Sequence, residues 1–412
     1  MTIRDLAVGE RPRLLYVATD AVTADILLSG QLAWFDREGF DVAVAAAPGP
    51  SLDRVSSREG VRVFPIPFQR EISPLRDLFA LRRLNACLRS FRPHIVNAGT
   101  PKAGLLGLLS ARWAGSPSRI YLLRGLRLQT TRGPKRLILR TAERLAARSA
   151  TCIVSVSPSL RDAAVAEELA STSKIHVLGC GSSNGVDCDR FAPSPRLDAA
   201  AMMLRANWGI PAKARVIGFI GRLTRDKGIA DLVEAFLAAA GELPDVYLVL
   251  IGREEAGDPV GVRTLKMLRN HPRVRFAGSM KDVAPCYRAI DVLAFPSYRE
   301  GLPNVPLEAA ASERPVVAYA ATGTVDAVRH GATGFVCAIG DRQALADGLR
   351  QYLTDASLRA AHGAAGRQFV HANFSQQEVW RKWRTLYERE LRRIGGPLPV
   401  SDEDIASRGR AA

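Results

Sequence analysis

Short apolar runs recur along the chain, separated by longer stretches of helical periodicity. The first series is Leu14 to Ala18, Asp41 to Ala46, Val61 to Pro65, Ile95 to Asn97, Ile120 to Leu123, Cys152 to Val156 and Ile175 to Leu178. A Pro-rich stretch, Ala192-Pro193-Ser194-Pro195, and a helical segment near Asp198 to Trp208 interrupt the pattern. It then resumes with Val216 to Ile220, Val246 to Ile251, Val274 to Phe276, Val292 to Phe295, Val316 to Tyr319 and Gly334 to Val336. Strand-like runs alternating with helices predict βαβ units around a parallel sheet, once in each half. The predicted fold class is α/β, with two Rossmann-like doubly wound domains, residues 1–195 and 196–374, facing each other across a cleft. Ligands of such sheets bind at the carboxyl ends of the strands. A last helix, about Ser375 to Arg392, has Val379, Trp380, Trp383, Leu386 and Tyr387 on one stripe, which predicts packing rather than solvent exposure. Residues 395–412 read as a disordered tail.

Composition agrees with this organisation. A chain of 412 residues is too long for one ordinary core and suits two domains of about 180 residues each. Its 47% apolar content is ample for burial. No window approaches the roughly 18–20 apolar residues of a membrane span, and Met1 to Arg13 is polar, without the apolar stretch of a signal peptide. A cytoplasmic protein is expected. Six cysteines without C-x-x-C spacing indicate neither a zinc site nor a disulfide framework. The net charge of +16 favours an anionic partner. Part of it is concentrated in Arg124, Arg127, Arg132, Lys135, Arg136, Arg140, Arg144 and Arg148, the last five at helical spacing beside Leu137, Ile138, Leu139, Leu145 and Ala146. Such a helix either lies on anionic lipid or presents a solvated basic face over a core.

Two segments carry candidate chemistry. From Tyr298 to Ala311 the chain reads Y-R-E-G-L-P-N-V-P-L-E-A-A-A, placing Glu300 and Glu308 on either side of a Gly301-Leu302-Pro303-Asn304 turn that opens an apolar helix. Pro303 or Pro306 suits a first helical turn, and unpaired N–H groups near Leu302, Asn304 and Val305 would face an anion such as a diphosphate. Glu300 is placed to accept hydrogen bonds from sugar hydroxyls, and Glu308 to reach a second diol such as a ribose. The other segment, Gly221-Arg222-Leu223-Thr224-Arg225-Asp226-Lys227-Gly228, follows an apolar strand and precedes a helix. Glycines at its ends admit close backbone approach, and Arg222 and Lys227 supply two cations for phosphates.

The ordered set G-R-L-x-x-x-K-G, then E-G-L-P-N-x-x-L-E-A, then G-x-x-x-x-V-x-x-G-x-T-G at Gly323 to Gly334, resembles the retaining glycosyltransferases of family 4. The runs Asn97 to Gly107 and Gly181 to Asp187 are similar to the branch that builds capsule, exopolysaccharide and O-antigen repeat units. The resemblance spans roughly residues 12–390 and implies a GT-B fold, with an acceptor-binding first domain, a nucleotide-sugar-binding second domain and a helix, 375–394, crossing back to the first. It assigns catalysis to Arg222, Lys227 and Glu300, and donor contacts to Gly221, Arg253, Glu254, Gly301, Leu302, Pro303, Asn304 and Glu308. Asn97, Thr100 and Lys102 fall on the acceptor side, with Lys102 expected at a phosphate.

Relatives usually carry a histidine just ahead of the Thr-Pro-Lys-Ala-Gly run, where this chain has Asn97, Ala98 and Gly99. Asn97 is one candidate to replace its contact. The D-x-D patterns at Asp187 to Asp189 and Asp402 to Asp404 lie away from the donor side, so no metal or other cofactor is expected. The expected reaction moves a hexose or N-acetylhexosamine from a UDP-sugar to a lipid-diphosphate-linked saccharide on the inner face of the plasma membrane. One alternative is a small soluble acceptor, such as an inositol phosphate or a natural product. A non-enzymatic basic protein binding nucleic acid is disfavoured, because the basic residues are not interleaved with an aromatic platform.

Overall fold

The computed structural model describes residues 10–69, 73–241, 243, 245–255 and 257–402. They divide into two compact units. The first takes the chain as far as Asn184 and again from Gln377, and the second takes Gly185–Gln376.

In the first unit seven strands form one sheet: β1 Arg13–Val17, β2 Asp41–Ala46, β3 Arg62–Pro65, β4 Ile95–Gly99, β5 Ser118–Leu123, β6 Cys152–Ser155 and β7 Ile175–Val177. All neighbours run parallel, in the order β3-β2-β1-β4-β5-β6-β7. Parallel strands need crossover helices, and helices on both faces explain why β1 and β2 are apolar runs rather than alternating ones. Leu14, Leu15, Val44 and Ala45 are fully buried. Strand order reverses between β1 and β4, so the loops leaving their carboxyl ends diverge and open a crevice there.

The helix Gln376–Ile394 completes this unit. Its stripe of Val379, Trp380, Trp383, Leu386 and Tyr387 is buried. Trp380 lies against Trp34 with ring centroids 5.7 Å apart and donates from Nε1 to Asn184 Oδ1 at 2.8 Å. Ser118 Oγ donates to Glu390 at 2.9 Å. The chain continues across the same unit, and the backbone of Val400 occupies the space where a side chain on Gly39 would stand. Of the expected disordered tail, 395–402 is therefore packed structure, and 403–412 lies outside the described residues.

The second unit repeats the architecture with β8 Arg215–Ile220, β9 Val246–Ile251, β10 Val274–Gly278, β11 Val292–Phe295, β12 Val316–Tyr319 and β13 Gly334–Cys337. Its parallel order is β10-β9-β8-β11-β12-β13, with the reversal between β8 and β11. Ile217, Phe219, Leu232, Phe236, Leu248, Leu250, Tyr319 and Leu349 form the centre of one core cluster.

The boundary between the units falls at Asn184/Gly185, not at 195/196 as the Pro-rich stretch suggested. Pro195 is the first residue of the helix Pro195–Asn207, capped by Ser194 Oγ accepting from Leu197 N at 3.3 Å. A proline there starts a helix rather than marking a linker. Val186 is bonded through both backbone groups to the far end of the second unit, its N–H donating to Phe374 O at 2.7 Å and its carbonyl accepting from Gln376 N at 3.1 Å.

Candidate functional site

In the second unit the loops leaving β8 and β11 meet at the strand-order reversal. The β8 loop is held by its backbone. Leu223 N donates to Arg253 O at 2.9 Å, Asp226 N to Asp258 Oδ2 at 2.9 Å, and Tyr298 N to Asp226 O at 2.9 Å. Thr224, fully buried, donates from Oγ1 to Asp226 Oδ1 at 2.5 Å. A short 3₁₀ turn, Arg225–Lys227, then ends at Gly228 in the left-handed region before the helix Ile229–Ala240. This path delivers the Lys227 ammonium to Glu300 Oε1, where the two form an ion pair. Both side chains are mostly buried, at 15% and 13% exposure, so this pair sees far less screening than a surface one. Ser297 Oγ donates to the same Glu300 oxygen at 2.6 Å.

The turn after Glu300 leads into the helix Asn304–Ala311 with Pro303 in the capping position. Pro303 makes no side-chain capping bond, so among the described residues the first N–H groups and the positive end of the helix dipole are open to an anion. Pro306 stands in the first turn, where its missing N–H interrupts nothing. The turn is packed against a neighbouring loop: a Cβ on Gly323, whose φ is +76°, would lie 2.0 Å from Gly301 O. Only glycine fits there. Glu308, on the helix, accepts from Tyr287 Oη at 2.6 Å. Burial raises its pKa, and the Tyr287 hydrogen bond works in the opposite direction.

The remaining donor-side residues lie on the outer loops. Arg222 is 54% exposed and paired with Glu255, and Glu254 pairs with Arg269 at 2.6 Å. Arg253 is exposed, and its carbonyl ties its loop to that of Arg222. The structure thus joins Lys227 directly to Glu300 and laces the Arg222 loop to the Arg253 loop. Ser297, Tyr287 and Asp258, which position these groups, escaped the sequence reading because none belongs to a local motif.

On the first unit, Asn97, Thr100 and Lys102 cluster at the corresponding reversal, beside β1. Thr19 Oγ1 lies 2.6 Å from Thr100 Oγ1 and accepts from Ala103 N at 3.1 Å. Thr100 has a φ of +76°, uncommon for a β-branched residue. Asn97 is 2% exposed and donates from Nδ2 to Tyr387 Oη at 2.7 Å. Lys102, expected at a phosphate, is engaged by Asp77 at 2.6 Å. The basic helix Pro134–Ser149 carries part of its charge in local ion pairs. Arg136 pairs with Glu167, and Arg140 and Arg144 pair with Glu168 at 3.0 and 2.7 Å, which offsets part of its charge.

Two Rossmann-like parallel-sheet units, each with polar loops gathered at its strand-order reversal, define a GT-B glycosyltransferase fold. The chain belongs to the glycosyl transferases group 1 family, whose profile matches residues 214–355, while a glycosyl transferase 4-like domain profile matches residues 28–181. It is 34% identical to the capsular polysaccharide biosynthesis glycosyltransferase CapM of Staphylococcus aureus, over 90% of this chain and 95% of that protein. It is 26% identical to the UDP-Gal:α-D-GlcNAc-diphosphoundecaprenol α-1,3-galactosyltransferase of Escherichia coli, over 74% and 78% of the two chains. Among solved structures it is similar to HepE of Anabaena, crystallised with UDP and glucose, with a TM-score of 0.74, 21% identity and coverage of 91% and 98%. The chain is an enzyme, a glycosyltransferase.

Proposed function

We propose that the enzyme transfers a hexose or N-acetylhexosamine from a UDP-sugar to a lipid-diphosphate-linked saccharide during surface-polysaccharide assembly, with retention at the anomeric carbon and without a metal. The observation that carries this reading is the Lys227–Glu300 pair beside the uncapped Asn304 helix. A cation and the N-terminus of a helix at one strand-order reversal suit a diphosphate, and the Glu300 carboxylate beside them suits the hydroxyls of the attached sugar. As the bond to the nucleotide breaks, negative charge grows on the departing phosphate. Lys227, Arg222 and the helix N-terminus stabilise that charge most at the transition state, which is how fixed dipoles and cations lower a barrier. Glu308, held by Tyr287, takes the nucleotide ribose in this scheme.

Support for the acceptor class comes from the named substrate of the E. coli relative. Support for work at a membrane surface comes from exposed apolar side chains on two helices of the first unit: Leu75, Leu78 and Phe79 on Pro74–Phe91, and Leu137 and Ile138 on Pro134–Ser149. The helix Pro101–Trp113 packs against both. Arginines flank these residues, a combination suited to an anionic interface. No helix among the described residues is long and apolar enough to cross a membrane.

The test is transfer from a panel of UDP-sugars to saccharides on lipid diphosphates, with product anomers assigned by NMR, together with sedimentation on anionic vesicles. The expected result is an α-linked product from an α-linked donor sugar, and co-sedimentation that weakens with salt. Transfer only to soluble acceptors without vesicle binding, or an inverted anomer, contradicts the reading.

A further inference from the structure

The first unit has a small recess, open to solvent, at the carboxyl ends of β1, β4 and β5, lined among others by Tyr16, Thr23, Asn97, Thr100, Leu122 and Arg124. Its enclosed space is only about 10 Å³, so it admits a single small group such as one hydroxyl, and the rest of a ligand would lie at its open mouth. Two polar groups on its lining each carry a buried atom with no hydrogen-bond partner among the described residues.

The first is the Arg124 guanidinium. Arg124 directly follows β5 and lies across the end of β4, where a Cβ on Gly99 would stand 2.9 Å from its Nε. Glycine at that position leaves the guanidinium its space. Among the described residues its hydrogen-bond partner is the Ser183 hydroxyl, reached from Nη1 at 2.7 Å, and its buried Nε has none. No carboxylate pairs with it among the described residues. Burial pushes its pKa down to about 10, and the nearby Tyr16 and Tyr387 only partly oppose that. Other arginines of the unit are matched: Arg54 and Arg58 by Asp25, and Arg136 by Glu167. Arg119, also desolvated, spends its guanidinium on the carbonyls of Ser149 and Ser116 at 2.8 and 2.7 Å. Arg124 is half-buried, and a partly desolvated cation without a counter-charge is destabilising. That cost is offset when an anion binds.

The second is Asn97. Its Nδ2 is tied to Tyr387 Oη, which in turn donates to Tyr16 Oη at 3.0 Å. That chain ties down one end of the amide, and in this arrangement the buried Oδ1 at its other end has no donor among the described residues. A bare anion would not satisfy a carbonyl oxygen. A ligand with both an anionic group and a hydroxyl satisfies both residues.

We propose that Arg124 and Asn97 form a phosphosaccharide subsite, in which the guanidinium holds a phosphoryl group of the acceptor and Asn97 Oδ1 accepts from a hydroxyl of its sugar. The inference rests on the acceptor class proposed above and assigns its recognition to two residues. It separates the roles of the chain's cations: Lys227 and Arg222 act on the donor phosphates, and Arg124 acts on the acceptor.

One saccharide is prepared with the same long alkyl chain as its diphosphate, its monophosphate and its simple glycoside, and each is given to the full-length enzyme. The wild type should show its lowest KM for the diphosphate. Arg124→Gln should raise that KM at least tenfold, toward the glycoside value, while the glycoside KM and the donor KM stay within twofold. Arg124→Lys should recover part of the loss. The melting temperature of Arg124→Gln should be equal to or above that of the wild type, because an uncompensated cation has been removed. If the wild type transfers to the diphosphate yet Arg124→Gln leaves its KM unchanged or raises the donor KM instead, this subsite is refuted and the acceptor reading survives. A fall in melting temperature with equal loss on all three probes would mark Arg124 as structural and also refute it. If no probe accepts sugar, the acceptor reading fails, and calorimetry with the alkyl diphosphate decides the subsite: equal binding by wild type and Arg124→Gln, or none by either, overturns it.

Discussion

Lys227 and Glu300 offer a perturbation in which stability and catalysis separate. In Lys227→Met the Glu300 carboxylate, at 13% exposure, loses its cation and keeps the 2.6 Å hydrogen bond from Ser297. Breaking a buried pair by removing one partner costs about 3–5 kcal/mol. The surviving Ser297 bond and residual exposure reduce this to about 2 kcal/mol, the range of a strained but satisfied carboxylate. Glu300→Gln in the same chain removes the orphaned charge, so the double variant should regain most of that stability. Catalysis should follow the opposite course. Loss of one preorganised donor at a developing oxyanion lowers kcat by about 10²–10³-fold, and Glu300→Gln restores no cation, so the double variant should be no faster than Lys227→Met. Urea unfolding of the wild type, Lys227→Met and the double variant, paired with single-turnover rates at saturating UDP-sugar, measures both. Recovery of rate in parallel with stability would refute the assignment of Lys227 to the departing phosphate and leave it a structural lysine.

Three further outcomes follow from the geometry. Gly323→Ala places a methyl group 2.0 Å from Gly301 O at a φ of +76°, so it should destabilise the enzyme by about 1–3 kcal/mol and lower kcat/KM at least tenfold by displacing the Gly301 turn; wild-type kinetics would show that the turn is not held by this contact. Glu143, buried and accepting from Tyr121 Oη at 2.5 Å, has its pKa raised by desolvation to about 7. The folded chain therefore keeps a proton that the unfolded chain releases above 4.5, so stability should fall between about pH 4.5 and 7, by up to about 3 kcal/mol; Glu143→Gln should abolish the fall, and parallel urea midpoints for both proteins at pH 5 and 8 would contradict it. Glu255→Gln should release the 54%-exposed Arg222 and tighten UDP binding in calorimetry by up to about fivefold at low salt; weaker binding would mean that Glu255 itself serves the nucleotide.

Much of the fold was legible because buried parallel strands have a simple signature. Asp41–Ala46, Val246–Ile251, Val292–Phe295 and Val316–Tyr319 are continuous apolar or small runs between turn residues, and they form strands over those same bounds. The unit boundary was misplaced because proline reads alike in a linker and at a helix start, and only the bonds of Val186 to Phe374 and Gln376 decide which unit owns the segment. At the site, motif spacing located Lys227 and Glu300, but it could not show that they pair, since that contact depends on β8 and β11 lying side by side. Charge was the least legible property. Arg124 stood in a basic run with Arg136, Arg140 and Arg144, yet those three pair with glutamates while Arg124 is half-buried with no carboxylate partner among the described residues. A count of arginines treats them as equals. Their solvation does not.

The central claim is that one nucleotide diphosphate is held jointly by Lys227, Arg222 and the N-terminus of the helix Asn304–Ala311. A crystal structure of the full-length enzyme with UDP tests it most directly. The β-phosphate oxygens should lie within hydrogen-bond distance of the Lys227 ammonium and of N–H groups at the start of that helix, with Arg222 turned away from Glu255 toward the phosphates. A diphosphate bound elsewhere, with Lys227 still closed on Glu300 and the helix N-terminus untouched, would contradict it.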